Sequence, residues 1–409
     1  MVKFTTVSLH DHNRRRMNIR RIALFLAAFS SASALATSSV GNFLVTNNDV
    51  PLPFPALSYR GSAVTFYSIA PNGAVDGKSV VSTGGDGIGG GSFASSRVAV
   101  VPQGADVCVF ASNAATSDIA GISAETHSVT GNFLGSSTDT GAANGIGLAA
   151  DAHYLYATYS SSSTIGTFKI QTGCMLGFVG DVFAVGLNGG LVTGMAIHGS
   201  MMVMTYGDGS IESFNISGGV PVSNGDAQNS TGSAHDHVPN GVDITADGHY
   251  AIFGDASTVT TVEVSDISSG QLTPTVAYHV GRSWNSGNVR LSPDETLIFV
   301  TNNSRGAVTA AFFDKTTGKI SPGCASGPLN GFYSSWSYAG AAALQLPSST
   351  GGLFYVPEFG SNGFSSIGLV QLTSTGTTCT LSELASSPIV DNADASALLS
   401  IAIYPARPF

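Results

Sequence analysis

A short run of apolar residues that ends on polar side chains recurs seven times along this chain. The clearest copies span residues 43–48 and 298–303, where three apolar residues precede Thr-Asn-Asn. Apolar runs of this length predict buried β-strands. The last strand residues of the seven copies lie 46 to 66 residues apart, at Asn47, Asn113, Tyr159, Tyr206, Asp255, Asn302 and Glu358. Such a period in strand-rich sequence predicts the blades of a β-propeller.

The two ends of the chain supply complementary parts of one repeat unit. A complete unit reads as four strands, and the first copy begins with its second strand, at Phe43. The missing first strand is found at the other end, over residues 398–403. We therefore predict an all-β, seven-bladed β-propeller that is closed by the C-terminal strand joining the N-terminal blade, a ring with no unpaired inner edge.

The first 36 residues have the pattern of a secretory signal. Arg20 and Arg21 precede an apolar run over residues 22–29, which is shorter than a membrane-spanning helix requires. Ala34 and Ala36 then have the spacing of a signal-peptidase cleavage site.

Three expectations follow from this segment. Residues 1–36 are a signal peptide, and because Met17 begins a conventional signal by itself, residues 1–16 are either an upstream extension or a misassigned start. Residues 37–409 form a single propeller domain, since a propeller grows by adding blades to one closed unit. The protein is secreted or periplasmic.

Composition and charge narrow the class of partner. Charged residues make up only 10% of the chain, and 50 of its residues are Gly, as expected for short strands and tight turns. Residues 1–36 hold six of the 16 basic residues and one of the 26 acidic residues, so the remainder has a formal net charge of −15. Without a basic stripe we expect neither nucleic acid nor an anionic membrane as a partner. The short apolar run predicts no membrane anchor, and we expect a monomer.

Four cysteines are compatible with two disulfides in an oxidising compartment. Their connectivity does not follow from spacing. Cys174, Cys324 and Cys379 each lie near the start of a predicted outer strand in a different blade, so pairing among these three is doubtful. Cys108 lies in a predicted second strand.

A ligand site is expected where the loops that enter the inner strands meet the ends of the second strands, at one mouth of the channel. Two inner strands begin alike, with Asn144-Gly145 and Asn240-Gly241, each Asn seven residues before a turn acid. These amides are candidates for binding substrate or metal. Ordinary Asn-Gly turn chemistry is the alternative.

Asp243 and Arg290 occupy equivalent positions in the predicted inner strands of two neighbouring blades. Charges in an inner strand are costly unless they are paired or used. One interpretation is a salt bridge in the channel. The other is an arginine that binds a carboxylate or stabilises an oxyanion, with Asp243 orienting it within the substrate site.

Other candidates lie in loops that face the predicted mouth. His237 could act as a general base, although a solvated loop explains it equally. Trp284, Asn285 and Trp336 could stack on or hydrogen-bond a flat ligand or sugar, or pack against blade edges.

Glu358 ends a second strand where other blades carry Asn, Tyr or Asp. It could transfer a proton, or join Asn144, Asn240 and Asp255 in holding one divalent cation, Ca²⁺, Mg²⁺ or Zn²⁺. A carboxylate that only bonds loop amides is the alternative. No cofactor is otherwise indicated.

The motifs of the sixth unit carry a resemblance to a known family. They are Leu291-Ser292-Pro293-Asp294-Glu295, Ile298-Phe299-Val300-Thr301-Asn302-Asn303 and Asp314-Lys315-Thr316-Thr317-Gly318-Lys319-Ile320. With these motifs the chain resembles the seven-bladed lactonase-like propellers, which include 6-phosphogluconolactonase-like and muconate-cycloisomerase-like proteins. The family's His-containing start of an inner strand is absent, because Val238, Asn240 and Gly241 stand there.

A second, local resemblance involves Pro239-Asn240-Gly241-Val242, Asp247-Gly248 and Gly254-Asp255. These look like the gluconolactonase and senescence-marker propellers, which bind one divalent metal at the channel mouth through Asn, Asp and Glu. The resemblance implies that Asn144 and Asn240 could be metal ligands.

Two functional hypotheses follow. The first is an exported lactonase-like enzyme that hydrolyses or isomerises a small lactone or sugar acid, with Asn144 and Asn240 holding ring oxygens, Arg290 stabilising negative charge, and His237 or Glu358 moving the proton. The second is a non-catalytic secreted propeller that binds carbohydrate or a surface protein through its loops, since fold does not decide activity.

Overall fold

The structure is a computed structural model, and its described residues belong to one compact unit, Ser38–Phe409. It describes residues 40–48, 61–88, 96–139, 145–230, 239–255, 261–279, 286–302, 306–330, 342–345, 352–359, 365–390 and 400–405. The predicted signal peptide lies outside the described residues and stays a prediction, as does the domain boundary after it.

All described strands belong to seven antiparallel sheets, which we number as blades 1 to 7 along the chain. The strands of blades 1 to 3 are β1 (Phe43–Asn47), β2 (Ala63–Ile69), β3 (Val75–Ser82), β4 (Val98–Gln103), β5 (Asp106–Asn113), β6 (Asp118–Ser123), β7 (Ser128–Leu134), β8 (Ile146–Ala150), β9 (Tyr154–Tyr159), β10 (Thr164–Gln171) and β11 (Met175–Phe183). The strands of blades 4 and 5 are β12 (Val192–His198), β13 (Met201–Tyr206), β14 (Ser210–Asn215), β15 (Val222–Ser223), β16 (Gln228–Asn229), β17 (Pro239–Ile244), β18 (Tyr250–Asp255), β19 (Thr261–Asp266) and β20 (Thr273–His279). The strands of blades 6 and 7 are β21 (Ser286–Leu291), β22 (Leu297–Asn302), β23 (Ala307–Asp314), β24 (Lys319–Ala325), β25 (Ala342–Gln345), β26 (Gly352–Phe359), β27 (Ser365–Ser374), β28 (Cys379–Glu383) and β29 (Ile389–Val390), and β30 (Ser400–Tyr404) follows them. Among these residues no helix is long and apolar enough to cross a membrane.

The seven sheets form a closed ring. The innermost strand of each blade contacts the innermost strands of its two neighbours, in the cyclic order β30, β4, β8, β12, β17, β21, β25 and back to β30. Within each blade the remaining strands follow outward in chain order. The inner strands therefore surround one central axis, and the prediction of a seven-bladed propeller is confirmed.

Blade 1 is built from both ends of the chain, as predicted. Strand β30 pairs antiparallel with β1, with Leu44 opposite Ile403 and Asn47 opposite Ser400. The C-terminal strand thus supplies the innermost strand that the N-terminal part lacks. This pairing closes the ring through hydrogen bonds between the first and the last described strands.

The repeating apolar phrase is the second strand of each blade, and both of its faces are buried. In β1, Val45 packs in a cluster with Val109 of blade 2, whereas Leu44 packs in a cluster with Tyr355 of blade 7. A strand packed between two neighbouring blades has no face in contact with solvent. Its apolar residues are therefore consecutive and do not alternate with polar ones. Each fully buried Val or Leu stabilises the fold by about 1.5–3 kcal/mol relative to an exposed one.

Two disulfides join neighbouring blades. Cys108 in β5 bonds Cys174, which lies in the turn between β10 and β11, and the Cα atoms are 5.2 Å apart. Cys324 in β24 bonds Cys379 in β28, with Cα atoms 5.6 Å apart. Two disulfides were predicted, but doubt about pairing within the outer-strand group was wrong, because outer strands of adjacent blades approach closely enough for Cys324 and Cys379 to meet.

Candidate axial site

Arg290, on the innermost strand of blade 6, reaches across the centre of the ring. Its Nη2 lies 3.1 Å from the Oγ of Ser96, just before the inner strand of blade 2. Its Nη1 donates to the carbonyl oxygens of Val242 in blade 5 and Val289 in its own strand, both at 3.2 Å. Blades 2 and 6 are not neighbours in the ring, so a contact between them spans the axial space. The structure thus places a guanidinium in the channel.

Asp243 lies at the same boundary between blades 5 and 6. Its Oδ2 accepts a hydrogen bond from the backbone N–H of Leu291 at 2.9 Å, and its Oδ1 accepts one from the N–H of Ile244 at 2.9 Å. The acid therefore ties the inner strand of blade 6 to that of blade 5. The preceding residue, Val242, provides the carbonyl that holds Arg290.

The strand registers confirm that these two charged residues occupy equivalent places. Asp243 pairs with Ile252, and Arg290 pairs with Phe299. Each partner lies three residues before the end of the predicted second strand, Asp255 or Asn302. The equivalence of Asp243 and Arg290 that the sequence predicted is therefore present in the fold.

Three consecutive inner strands are bulged where they begin. The register shifts between Val192 and Gly194 in blade 4, between Asn240 and Val242 in blade 5, and between Ser286 and Val289 in blade 6. A bulge places an extra residue in one strand and redirects side chains, and bulges are frequent beside active sites. Blades 4 to 6 therefore present the irregular part of the channel wall.

Threonines near the ends of the second strands make hydrogen bonds to the beginnings of inner strands. Thr205 Oγ1 lies 3.0 Å from Thr193 Oγ1 in blade 4, and Thr301 Oγ1 accepts the backbone N–H of Asn288 at 2.6 Å in blade 6. In blade 3 Thr158 performs the same task for an unbulged strand, accepting the N–H of Gly147 at 3.1 Å. The recurrence of Thr before the final residue thus has a structural cause.

Asn288 is a polar residue of this region that the sequence did not single out. Its side chain is fully buried, and neither its Oδ1 nor its Nδ2 has a hydrogen-bond partner in the described part of the chain. It packs on Gly241, whose φ of +64° suits glycine, and a Cβ there would lie 3.0 Å from Asn288 Nδ2. Leaving such a group unpaired costs about 1–3 kcal/mol, so the amide is a further candidate for contact with a ligand or a buried water.

The position of Asn288 within its repeat unit offered one clue to its importance. Val242 pairs with Phe253, and Val289 pairs with Val300, so the residues before them, Gly241 and Asn288, are equivalent. Blade 6 therefore has an amide where blade 5 has a glycine. Only the tertiary contact between the two shows that the amide is enclosed.

Glu358 lies away from Arg290, between blades 6 and 7. It alternates with Phe354 and Val356 along β26, and these two pack against Leu297 of blade 6. Its side chain is 2% exposed, and Oε2 accepts a hydrogen bond from Ser366 Oγ at 3.3 Å. Glu358 lies one residue before the end of β26, close to the predicted strand end, and its carboxyl is enclosed.

The surroundings of Glu358 favour its neutral form. Burial raises the pKa of this carboxyl, the charge of Glu383 raises it further, and the Ser366 hydrogen bond lowers it, with a resulting pKa of about 8. A carboxyl of this kind holds a proton at neutral pH unless a cation is bound beside it.

The other described side chains at the ends of second strands are also buried contacts. Asn47 Nδ2 donates to the carbonyl oxygen of Arg97 in blade 2 at 2.9 Å, and Asn113 Nδ2 donates to Asp118 Oδ1 at 2.6 Å. Tyr206 Oη donates to Glu212 Oε2 at 2.6 Å. Asn47 thus joins blades 1 and 2, whereas Asn113 and Tyr206 each bond a neighbouring strand of their own blade. These three side chains are buried and do not form the open rim expected from the sequence.

Several predicted site residues cannot be placed by their side chains. For Asn240 and Asp255 the structure describes the backbone only, at the beginning of β17 and the end of β18. Five others lie outside the described residues: Asn144, His237, Trp284, Asn285 and Trp336. Their roles stay predictions. Within the described ranges no group of three or more His, Cys, Asp or Glu side chains could hold a metal ion.

Comparison with known proteins supports the fold class. A candidate 6-phosphogluconolactonase from Bacteroides uniformis superimposes with a TM-score of 0.64 at 12% identity, covering 88% of this chain and 99% of that one. A functionally unknown protein from Desulfotomaculum acetoxidans gives a TM-score of 0.61 at 13% identity, with 90% and 100% covered. The periplasmic gluconolactonase of Pseudomonas aeruginosa gives 0.52 at 15% identity, with 68% and 80% covered. No family model matches the chain, and no curated protein matches it by sequence.

The chain is a seven-bladed β-propeller with the fold of the lactonase-like propellers. Identities of 12–15% show this fold and do not by themselves carry activity from one protein to another.

Proposed function

We propose that this protein is an exported lactonase-like enzyme that acts on a small lactone or sugar acid in the axial channel. The observation that carries the proposal is the guanidinium of Arg290, whose Nη2 reaches Ser96 across the channel while two backbone carbonyls hold its Nη1. The likeness to lactonase propellers supports the class of ligand.

The chemistry needs a positive group where Arg290 lies. In lactone hydrolysis a water oxygen bonds to the carbonyl carbon, and negative charge develops on the carbonyl oxygen. The attacking water gives one proton to a general base, the ring C–O bond breaks, and the ring oxygen leaves as a hydroxyl after the same group, now an acid, returns a proton to it. Arg290 N–H groups would stabilise the developing charge and then bind the carboxylate of the product, which is the same functional group as that of a sugar acid.

The fixed and the exchangeable contacts of Arg290 fit this role. Nη1 is held by the carbonyls of Val242 and Val289, which orients the guanidinium plane. The contact of Nη2 with Ser96 joins it to a hydroxyl, which can rotate to another partner. We propose that a substrate oxygen replaces this hydroxyl.

For proton transfer we keep one of the residues predicted from the sequence. His237, which lies outside the described residues and is predicted to lie in a loop, is the proposed general base or acid. Glu358 is enclosed between two blades, so we propose a different role for it below. A cation held at the mouth by Asn144, Asn240 and Asp255 stays part of the proposal, and the assay includes it.

The proposed compartment is the periplasm or the exterior of the cell. Two disulfides, Cys108–Cys174 and Cys324–Cys379, suit an oxidising environment, where such bonds form and persist. The apolar run near the start of the sequence supports export. Sequencing the N-terminus of the secreted protein tests cleavage after Ala36.

A panel of sugar lactones and carboxylic lactones tests the activity. Purified protein is assayed with EDTA and with added Ca²⁺, Mg²⁺ or Zn²⁺, beside Arg290→Gln and Arg290→Lys. We expect turnover by the wild type and a fall in kcat of about 10²–10³ for Arg290→Gln, the usual cost of losing an oxyanion donor. Lys169→Gln is the matched control, because Lys169 is exposed on β10 and its loss should not change kcat.

Two results would contradict the proposal. No turnover above background across the panel would exclude a lactonase. Turnover that Arg290→Gln leaves unchanged, with the variant's unfolding midpoint also unchanged, would remove Arg290 from the site. A glycan array with the wild type then tests the alternative of a carbohydrate-binding propeller.

A further inference from the structure

Two carboxyl groups of blade 7, those of Glu358 and Glu383, are near enough for the charge of one to act on the other, and they share a deficit of hydrogen-bond donors. Glu358 lies on the second strand of blade 7, and Glu383 lies at the end of its outer strand. Each has one buried oxygen, Oε1, that lacks a hydrogen-bond partner among the described residues. Buried carboxylate oxygens without donors are costly, so the arrangement indicates a missing positive partner.

The strand between them explains where the Glu358 carboxyl lies. In β27, Ser366 pairs with Glu358 and Val370 pairs with Glu383. Gly368 lies between these two positions, and a Cβ on it would collide with Glu358 Oε1. The glycine therefore provides the space that the carboxyl of Glu358 enters, on the face turned towards blade 6.

The protein's own donors hold the other two oxygens. Ser366 Oγ donates to Glu358 Oε2 at 3.3 Å, and the backbone N–H of Asn330 donates to Glu383 Oε2 at 2.7 Å. Each carboxyl is thus fixed through one oxygen and presents the other. The negative charge of Glu383 is also close enough to act on Glu358, whose pKa it raises.

We propose that Glu358 and Glu383 bind a divalent cation, Ca²⁺ in preference, between blades 6 and 7. Both ligands are hard carboxylate oxygens, and Ca²⁺ accepts six to eight oxygens in flexible geometry, with hydroxyls, backbone carbonyls and water completing the set. Mg²⁺ demands a near-ideal octahedron, and Zn²⁺ prefers nitrogen and sulfur ligands. This site is separate from the axial site and needs no lactonase activity.

The position suggests what the cation does. Strand β28 begins at Cys379, which is bonded to Cys324 of blade 6, and it ends at Glu383. The disulfide attaches one end of the outer strand to blade 6, and the cation would tie the other end of that strand to β26 within blade 7. Binding only the folded state, the cation would raise stability with its concentration.

Glu212 in blade 4 provides a matched control. It is also a buried glutamate between blades, but both of its oxygens receive donors, from Tyr206 Oη at 2.6 Å and Ser223 Oγ at 2.7 Å. Its need for a partner is met within the protein, so it should not depend on a cation.

The test measures Ca²⁺ binding by calorimetry and the thermal midpoint of purified, EDTA-treated protein at pH 7.5, with Mg²⁺ as the comparison cation. We expect Ca²⁺ to bind the wild type and raise its midpoint, and we expect Glu358→Gln and Glu383→Gln each to lose both effects. Glu212→Gln should keep the Ca²⁺-induced shift, whatever its own midpoint.

Three outcomes would overturn the proposal. In the first, the wild type shows no heat of Ca²⁺ binding and no change in thermal midpoint. In the second, Ca²⁺ still raises the midpoint of Glu383→Gln, which is the milder variant because Glu383 is partly exposed. In the third, Glu212→Gln loses the Ca²⁺-induced rise in thermal midpoint as fully as the other two variants, which would show that removing any buried carboxylate has this effect. Because the readout is binding and stability, the result does not depend on whether the lactone assay succeeds.

Discussion

Glu212 and Glu358 show at the residue scale how the donors around a buried carboxyl decide its role. Burial raises the pKa of both groups. Two hydroxyl donors, from Tyr206 and Ser223, offset part of this effect for Glu212, whereas Glu358 receives only one long hydrogen bond from Ser366. The first is a satisfied structural contact, and the second has an oxygen left for a cation.

Removing the Tyr206 hydroxyl should therefore destabilise the protein. In Tyr206→Phe, the buried Oε2 of Glu212 loses its donor, at a cost of about 1–3 kcal/mol. Urea unfolding at pH 7 measures this. Tyr156→Phe is the control, because the Tyr156 hydroxyl is buried without a partner among the described residues and its loss should cost little. Equal destabilisation by both changes would contradict the assignment.

Individual candidate residues were predictable to different degrees. Arg290 and Asp243 stood out because charges are rare in this chain and the two share a strand phase. Asn288 did not stand out, since an amide near a strand start is ordinary until its enclosure by Gly241 is seen. Glu358 was found by its position, but its partner Glu383 belongs to an outer strand that no sequence period links to it.

At the scale of elements, the turns that connect the inner and second strands of blades 5 and 6 share one construction. In blade 5, Asp247 Oδ1 accepts hydrogen bonds from Thr245 Oγ1 at 2.6 Å and the N–H of His249 at 3.0 Å. In blade 6, Asp294 Oδ1 accepts them from Ser292 Oγ at 2.6 Å and Thr296 Oγ1 at 2.9 Å. The recurring turn acid is therefore a turn-forming residue.

These turns should contribute to acid sensitivity. Burial opposes ionisation of Asp294, but the hydrogen bonds from Ser292 and Thr296 outweigh it and lower its pKa below 3.8. A lowered folded-state pKa gives stability that is present above the unfolded-state value and is lost as the pH falls through the folded-state value. We expect Asp294→Asn to destabilise the protein at pH 7 and to do so less at pH 3.

Urea unfolding at the two pH values measures this difference. Asp76 is a suitable control site, since it is exposed on the outer strand β3 and Asp76→Asn should change stability little at either pH. A penalty for Asp294→Asn that is the same at pH 3 and pH 7 would show that the ionised carboxylate is not what stabilises the turn.

At the scale of the whole molecule, stability depends on closing the ring. Blade 1 has its innermost strand only through the pairing of β30 with β1. The clusters around Leu44 and Val45 then join blade 1 to blades 7 and 2. Losing one strand would expose the inner edge of β1 and weaken both of these interfaces.

Ending the chain before Ser400 should therefore abolish cooperative unfolding, because blade 1 loses the partner of β1. Thermal unfolding followed by near-ultraviolet circular dichroism, together with limited proteolysis, measures the effect. Removal of residues 406–409, which follow the last described strand, is the control and should leave the transition intact. A single sharp transition in the longer truncation would contradict ring closure through β30.

The sequence alone determined the fold class, the number of blades and the sharing of blade 1 between the two ends. These features rest on local strand patterns and on their period, and both are written along the chain. The disulfide partners, the crossing of the channel by Arg290, the enclosure of Asn288 and the proximity of Glu383 to Glu358 were decided by tertiary structure. Each depends on how strands and blades pack and on which side chains bulges and glycines admit, and no local pattern along the chain records this.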